Sequence, residues 1–326
     1  MKTELTIIIV NWNGENFLPD CLRSIAENPP KIPYEVIIVD NKSSDRSVEW
    51  LQSIEATSLF PNGNYRVIES QENLGYGRAN NLAIEQTSAP FMFILNPDTI
   101  LKDSTLDYLI EAVQSAESVG VSVPRIVDRD GLIQASVWRV PSALRVMFEG
   151  LELYRIVPRK LRGEWLLSRH WSYDRKRDIP LASGCALMLK RTMIDVVGAF
   201  NPDIFMYGED MELCYRINQK GGRVVFEPEA EIIHIGGQSS IQVWNKLQTS
   251  IKEEEATLAF QERCLPPFAV AKNTLTRIFV LTVRYGGRII RMKDTAFFNE
   301  LIPMQFGAFR RSLSRLLRLS SAQRPQ

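Results

Sequence analysis

Asp98 carries the most chemical weight in the sequence. It follows Phe91 to Leu95, an uninterrupted apolar run short enough for a strand covered on both faces. Pro97 cannot donate to a sheet ladder, so the strand ends there and presents Asp98 just past its carboxyl end, where open α/β sheets take ligands. A carboxylate in that position needs a cation or several donors. Mg²⁺ and Mn²⁺ are held by one or two carboxylates, with phosphate oxygens completing the shell, so Asp98 is a candidate metal ligand. The ordinary alternative is a solvated loop carboxylate.

Asp210 follows Glu209 at the start of a helix that the spacing predicts over 211–219. It reads as a general base, or as plain complementarity to a helix N-terminus, worth about 0.3–1 kcal/mol. The two readings pull apart, because a helix N-terminus lowers a carboxylate pKa and weakens a base. His234 closes an apolar segment and precedes Gly236 and Gly237, which keep its surroundings open. It reads as a metal or phosphate contact, against the common satisfied structural histidine. Asp40 and Asn41 end a second strand, where they can bond a base or ribose, or simply turn the chain. Asp45 serves equally well as a helix cap. Asn73 to Asn80 combines Gly75 and Gly77 with a helix start that attracts anions. Arg78 adds a phosphate contact or a plain surface charge.

The elements that would position these groups alternate. Strands are predicted over 5–10, 35–40, 65–69 and 91–95, with helical apolar spacing between them over 15–26, 48–54 and 79–84. That alternation predicts a doubly wound, mostly parallel sheet with right-handed crossovers. Further strands are expected at 119–123, 183–190, 223–226 and 231–235, with a mobile loop region over 138–178, rich in Arg, Trp and Tyr.

At 326 residues, 45% apolar and 24% charged, the chain has the composition of a globular protein with a sizeable core. A net charge of +1 gives no pull toward nucleic acid. The four cysteines, Cys21, Cys185, Cys214 and Cys264, show no metal-ligand spacing, so reduced thiols are expected. The apolar run after Lys2 is too short for a secretory signal, and no segment reaches bilayer-spanning length. The expectation is a cytoplasmic protein, free or peripheral on the inner face of a membrane. The tail beyond 241 supports the second option: between Lys272 and Arg318 basic residues interleave with apolar ones, and only Asp294 and Glu300 are acidic. A helical pack with a solvated basic face is the competing reading.

Six motifs arrive in order: IIIVNWNG at 7–14, VDNKSSDRS at 39–47, NLGYGRANN at 73–81, LNPDT at 95–99, GEDMELCYR at 208–216 and HIGGQS at 234–239. Over about residues 4–240 this set resembles the family 2 glycosyltransferases of the GT-A fold, most closely bacterial rhamnosyltransferase-like members. The resemblance implies a GT-A domain over 1–240, with a nucleotide-sugar half at 1–118 and an acceptor half at 119–240, followed by a basic helical extension at 241–326. It implies that Val10, Asn11, Asn13, Asp40, Asn41 and Asp45 hold the base and ribose, and that Asn73, Gly75, Asn80 and Asn96 line the donor pocket. Asp98 and His234 would bind Mg²⁺ or Mn²⁺, and Asp210 would be the base. Asn96 stands where many relatives carry Asp, which lowers the charge available to a metal. The implied activity is inverting transfer of a hexose from a nucleoside-diphosphate sugar, dTDP-L-rhamnose ahead of a UDP-sugar, to a saccharide or lipid-linked acceptor in cell-surface polysaccharide assembly.

Two other classes compete with that reading. A sugar-phosphate nucleotidyltransferase would need a basic Gly-rich loop after the first strand, which Trp12 to Glu15 does not supply. A non-catalytic nucleotide-sugar binder would have no use for both Asp98 and Asp210.

Overall fold

The computed structural model describes residues 2–61, 63–235, 246–290 and 296–322. In chain order the elements are β1 (Leu5–Asn11), α1 (Leu18–Glu27), β2 (Tyr34–Asp40), α2 (Ser47–Leu51), α3 (Ile54–Ser58), β3 (Tyr65–Glu69), α4 (Tyr76–Glu85), β4 (Phe91–Leu95), β5 (Thr99–Leu101), α5 (Thr105–Gln114) and β6 (Val119–Val127). They continue with β7 (Val137–Trp138), α6 (Ala143–Gly150), α7 (Arg159–Leu166), β8 (Arg177–Ile179), β9 (Leu181–Ala182), β10 (Ala186–Lys190), α8 (Arg191–Val197), α9 (Glu209–Gln219) and β11 (Arg223–His234). The last three are α10 (Lys246–Cys264), α11 (Pro267–Ile290) and α12 (Ala296–Ala322).

The chain divides into two compact units. One runs through Trp138 and resumes from Ser172 through β11; the other joins Arg139–Trp171 to the C-terminal helices. The expected boundary near 240, with Gly236 to Ser239 of the HIGGQS motif, lies outside the described residues.

In the first unit the main sheet runs β3-β2-β1-β4-β10-β6-β11-β5, with β8 added beside β11. The expected parallel half is present: β3, β2, β1 and β4 are all parallel. Leu5, Ile7 and Ile9 share a core with Val36, Ile38, Phe91, Phe93 and Leu95, and with Leu18, Leu22 and Ile25 of α1 and Leu106, Leu109 and Val113 of α5. The alternating residues Ile8, Ile37 and Ile94 are also fully buried, as the two-residue period of strands under two covering layers requires. Because β1 starts the chain and pairs with both β2 and β4, the winding reverses there, and the carboxyl edge of that pair is the switch point.

The second half departs from uniform parallel winding. β10 runs antiparallel between β4 and β6, so the turn that precedes it lands beside the carboxyl end of β4. β11 is one bent strand where two short ones were expected; its register on β6 shifts between Glu227 and Glu231. Beyond that bulge it pairs antiparallel with β5, setting His234 opposite Thr99.

The second unit corrects the reading of 138–178 as a loop region. Residues 139–171 contain α6 and α7, and α6 lies so close to α11 that a Cβ on Gly150 would sit 2.3 Å from Val280 Cγ1. The Arg- and Trp-rich composition masked this because those side chains bury aliphatic and aromatic bodies while their polar ends obscure the period. Leu281 of α11 packs with Phe298 and Leu301 of α12. Glu254 accepts from Arg277 Nε and Nη2, each at 2.7 Å. All four cysteines are free thiols, as expected.

Phe93 is fully buried in the middle of β4. Phe93→Ala should destabilise the first unit by about 3–5 kcal/mol in chemical denaturation, since a cavity remains where the ring was.

Candidate active site

The parallel register sets Asn11 beside Asp40 at the carboxyl edge of β1 and β2. Asn11 Nδ2 donates to Asp40 Oδ1 at 3.0 Å and to Ser43 Oγ at 3.1 Å. Ser43 also donates to Asp40, through its N at 2.9 Å and its Oγ at 2.6 Å, and Oγ accepts from Asn13 N at 2.9 Å. Asn13 adopts a left-handed φ of 51°, and its Oδ1 accepts from Ser44 N at 2.7 Å. Asp45 accepts from Glu15 N and Ser47 N, so its carboxylate pins the turn after β1 to the start of α2. Val10 is a core residue of β1.

Asn11 Oδ1 is buried and has no partner, and Gly14 faces it so closely that a Cβ there would lie 2.2 Å away. A buried amide oxygen left unpaired costs free energy.

Asn41, also buried, holds the next loop. Its Nδ2 donates to Asn73 Oδ1 at 2.9 Å, and its Oδ1 accepts from Leu74 N at 2.8 Å. Asn73 Oδ1 in turn accepts from Gly75 N at 3.0 Å. Gly75 has φ of 77°, and a Cβ there would lie 2.2 Å from Phe205 O, so only glycine fits. Asn80 donates from α4 to Tyr76 O at 2.9 Å and keeps a buried, unpartnered Oδ1. Arg78 is exposed, 3.9 Å from Glu72.

The turn Asn96–Thr99 is closed by Thr99 Oγ1 donating to Asn96 O at 2.6 Å. Asn96 N donates to Cys185 O at 2.9 Å, which fastens this turn to the one entering β10. Asp98 is 6% exposed. The ion pair described for it is with His234, whose Nε2 lies 3.4 Å from Oδ1. Gln134 brackets that histidine: its Nε2 donates to His234 O at 2.8 Å and its Oε1 meets Nδ1 at 2.9 Å. The first bond fixes the amide, so Nδ1 carries a proton and Nε2 is the atom turned to Asp98.

Asp210 is reached from the same turn. Its Oδ2 accepts from Gly184 N at 2.6 Å and its Oδ1 from Met211 N at 2.7 Å. Tyr76 OH donates to Gly184 O at 2.7 Å, tying α4 to that residue. The thiol of Cys185, next in the chain, lies within electrostatic reach of His234, Asp98 and Asp210 together. Both carboxylates are thus tied to the turn entering β10: Asp210 through Gly184 N, and the Asn96–Thr99 turn that carries Asp98 through Asn96 N to Cys185 O.

Burial governs the titration of these groups. It pushes Glu209 up to about 8, reinforced by the charge of Asp210. Asp210 is raised too, because burial outweighs the N–H groups of Gly184, Met211 and Gly208 that pull it down. The lowering expected from the helix N-terminus is therefore outweighed by burial. Burial opposes the imidazolium of His234, while Cys185 and Asp98 push it up. Cys185 is itself raised by burial and keeps its proton near pH 7, so the hydrogen bond and charge of Asp98 are what favour the imidazolium there.

Among the described residues no three His, Cys, Asp or Glu side chains gather into a complete metal cage. Asp98 with His234 would supply at most two protein ligands, which fits a hard cation whose remaining ligands are phosphate and water oxygens.

Sequence reasoning missed Ser43, Gln134, Tyr76, Gly184 and Cys185. Ser43 stands inside a recognised motif and was open to notice. Gln134 is 100 residues from its partner, and only the bend in β11 brings them together.

The model of the family described as glycosyl transferase family 2 matches residues 6–170. The chain is 26% identical over 247 residues to an N-acetylglucosaminyl-diphospho-decaprenol L-rhamnosyltransferase of Mycobacterium tuberculosis, covering 72% of this chain and 76% of that one. It is 24% identical over 321 residues to the low-salt glycan biosynthesis hexosyltransferase Agl10 of Haloferax volcanii, covering 94% and 91%. Among solved structures, the mannosyltransferase PcManGT of Pyrobaculum calidifontis, in complex with GDP-Man and Mn²⁺, superposes with a TM-score of 0.57 at 16% identity, covering 97% of this chain and 88% of that one. At that identity the likeness speaks for the fold alone, the expected GT-A arrangement of a mixed sheet with C-terminal helices. A match across half of the chain decides the family, and this protein belongs to glycosyl transferase family 2.

Proposed function

We propose that the chain transfers a sugar, with inversion, from a nucleoside-diphosphate sugar to a hydroxyl of a saccharide or lipid-linked acceptor in polysaccharide assembly. The observation that carries this reading is the convergence of two turns at the carboxyl edge of the sheet: Gly184 N holds Asp210, and Cys185 O takes Asn96 N of the turn whose Asp98 faces His234. The nucleoside end of the donor fits the edge formed by Asn11, Asn13, Asp40 and Asn41, where Asn11 Oδ1 awaits a donor such as a base N–H or ribose hydroxyl. Asn73, Gly75 and Asn80 bound the next stretch, with Asn96 and Asp98 at the diphosphate.

Asp210 Oδ2 takes the proton of the acceptor hydroxyl as that oxygen bonds to the anomeric carbon. The bond from that carbon to the diphosphate breaks on the opposite face, and its electron pair leaves with the nucleotide. A raised Asp210 is better matched to proton uptake near neutrality than an ordinary aspartate. Glu209, largely protonated near pH 7, leaves Asp210 without a charged neighbour in sequence. Asp98 and His234 Nε2 would hold a divalent cation, which when bound stabilises charge on the departing diphosphate. The Mn²⁺ in the mannosyltransferase complex supports that assignment.

The rhamnosyltransferase relative favours dTDP-L-rhamnose as donor, with a UDP-sugar second, and its name points to a polyprenyl-diphosphate acceptor. No described helix is long and apolar enough to cross a membrane. Action at the cytoplasmic face suits such an acceptor.

A panel of dTDP-, UDP- and GDP-sugars with Mg²⁺ or Mn²⁺, scored for donor hydrolysis and thermal protection, tests the reading; no turnover and no protection by any donor would refute it. Asp210→Asn should lower kcat by about 10²–10⁴-fold with donor KM little changed. Unchanged turnover in that variant removes the base assignment. Asp98→Ala should raise donor KM and lower kcat together, and should abolish the response to added Mn²⁺.

Because Glu209 binds its proton more tightly folded than unfolded, stability should fall as pH rises from about 4.5 through about 8. Melting of the ligand-free protein across pH 5–9 should show that slope, and Glu209→Gln should flatten it.

A further inference from the structure

The C-terminal helices carry exposed apolar stripes that the chemistry above does not use. On α11, Phe268, Leu275, Phe279 and Val283 are 66%, 53%, 54% and 48% exposed. With Lys272 they span an arc of roughly 80° on a helix of 3.6 residues per turn. On α12, Phe306, Leu313 and Leu317 are 47%, 42% and 62% exposed, and with Arg310 they fall within about 60° of arc. The opposite faces hold the packing of this unit: Thr274, Ile278 and Leu281 of α11, and Leu301, Ala308 and Ser312 of α12, are buried.

The stripes meet a concentration of positive charge. Arg310, Arg311, Ser314, Arg315 and Arg318 line an open concavity of about 690 Å³ together with Pro267, the neighbour of Phe268. Leu313 and Leu317 border an adjoining hollow with Arg310 and Arg318. Glu262 accepts from Arg311 Nε at 2.9 Å, its carbonyl accepts from Arg315 at 3.1 Å, and Arg318 donates to Ser314 Oγ at 3.2 Å, while Arg310 is exposed. Apolar side chains bordered by excess cations suit an interface between water and an anionic bilayer, where the rings enter the headgroup boundary and guanidinium groups bond phosphate oxygens. A second copy of the chain fits less well, because an isologous dimer would set this basic surface against itself.

We infer that this unit docks, without spanning, on an anionic phospholipid bilayer through Phe268, Leu275 and Phe279 of α11 and Leu313 and Leu317 of α12, with Arg310, Arg315 and Arg318 on the lipid phosphates. This goes beyond the transfer reaction and stands independently of it.

Co-sedimentation of the full chain with phosphatidylcholine vesicles, with and without phosphatidylglycerol, tests the inference. Binding should require the anionic lipid and weaken as salt rises. Arg310→Gln with Arg318→Gln should weaken it roughly thirtyfold, and Phe279→Glu with Leu317→Glu should abolish it. All these side chains are exposed, so melting temperature and donor hydrolysis should not change, which keeps this test separate from that of the transferase reading. Absence of wild-type binding, equal binding to zwitterionic vesicles, or wild-type affinity in either double variant overturns the inference. So does a wild-type dimer that Phe279→Glu with Leu317→Glu converts to monomer, since a second copy would then cover the stripes.

Discussion

The backbone hydrogen bond from Asn96 N to Cys185 O is the constraint on which the rest of the first unit depends. It exists because β10 enters the sheet antiparallel to β4, which brings the start of one strand to the end of the other. A parallel β10 would have delivered its first residues to the opposite edge. With the antiparallel choice, Gly184 and Cys185 sit beside the Asn96–Thr99 turn, and Asp210 is bound to Gly184 by a 2.6 Å hydrogen bond. The bend in β11 supplies the third approach, by pairing His234 with Thr99. Three segments distant in sequence thus meet through backbone pairing, and the side chains inherit their positions from it.

That assembly buries acids in a way that has consequences for chemistry. Glu209 and Asp210 are adjacent in sequence and both raised, yet their surroundings differ. Asp210 accepts from two backbone N–H groups, whereas Glu209 keeps a buried, unpartnered Oε2. Hydrogen bonds to the charged form are what allow one of two neighbouring carboxylates to remain ionised while the other keeps its proton. Burial raises both acids, and the backbone N–H groups of Gly184 and Met211 offset part of that rise for Asp210.

The legible part of the fold was its parallel half. Buried runs such as Leu5 to Val10 and Phe91 to Leu95 have one physical solution, a strand covered on both faces, and the helices between them fix the winding. Local signals also sufficed for the turn at Asn96–Thr99, because Pro97 has no N–H with which to carry the ladder on beyond Leu95. The second half was less legible for a reason visible in β11. Pro228 and Glu229 read as an interruption between two short strands, but β6 pairs across the bulge and keeps the strand continuous. Residues 139–171 hid their helices because Arg and Trp bury part of each side chain, which blurs the apolar period. Gln134 and Cys185 had no local signal at all; their partners come from tertiary pairing alone.

Asn96 finds its explanation in charge. At the turn, Asp98 already faces His234, and the pair is close to neutral when the imidazole is protonated. Asp210 brings a further negative charge within reach of the same thiol. A second carboxylate at 96 would have to be desolvated among these groups with one histidine to offset three acids, and such burial is costly unless each charge is paired. An amide at 96 keeps hydrogen-bonding capacity without that repulsion. Asp98 already faces His234, so a cation bound there would displace the histidine from the carboxylate or share it.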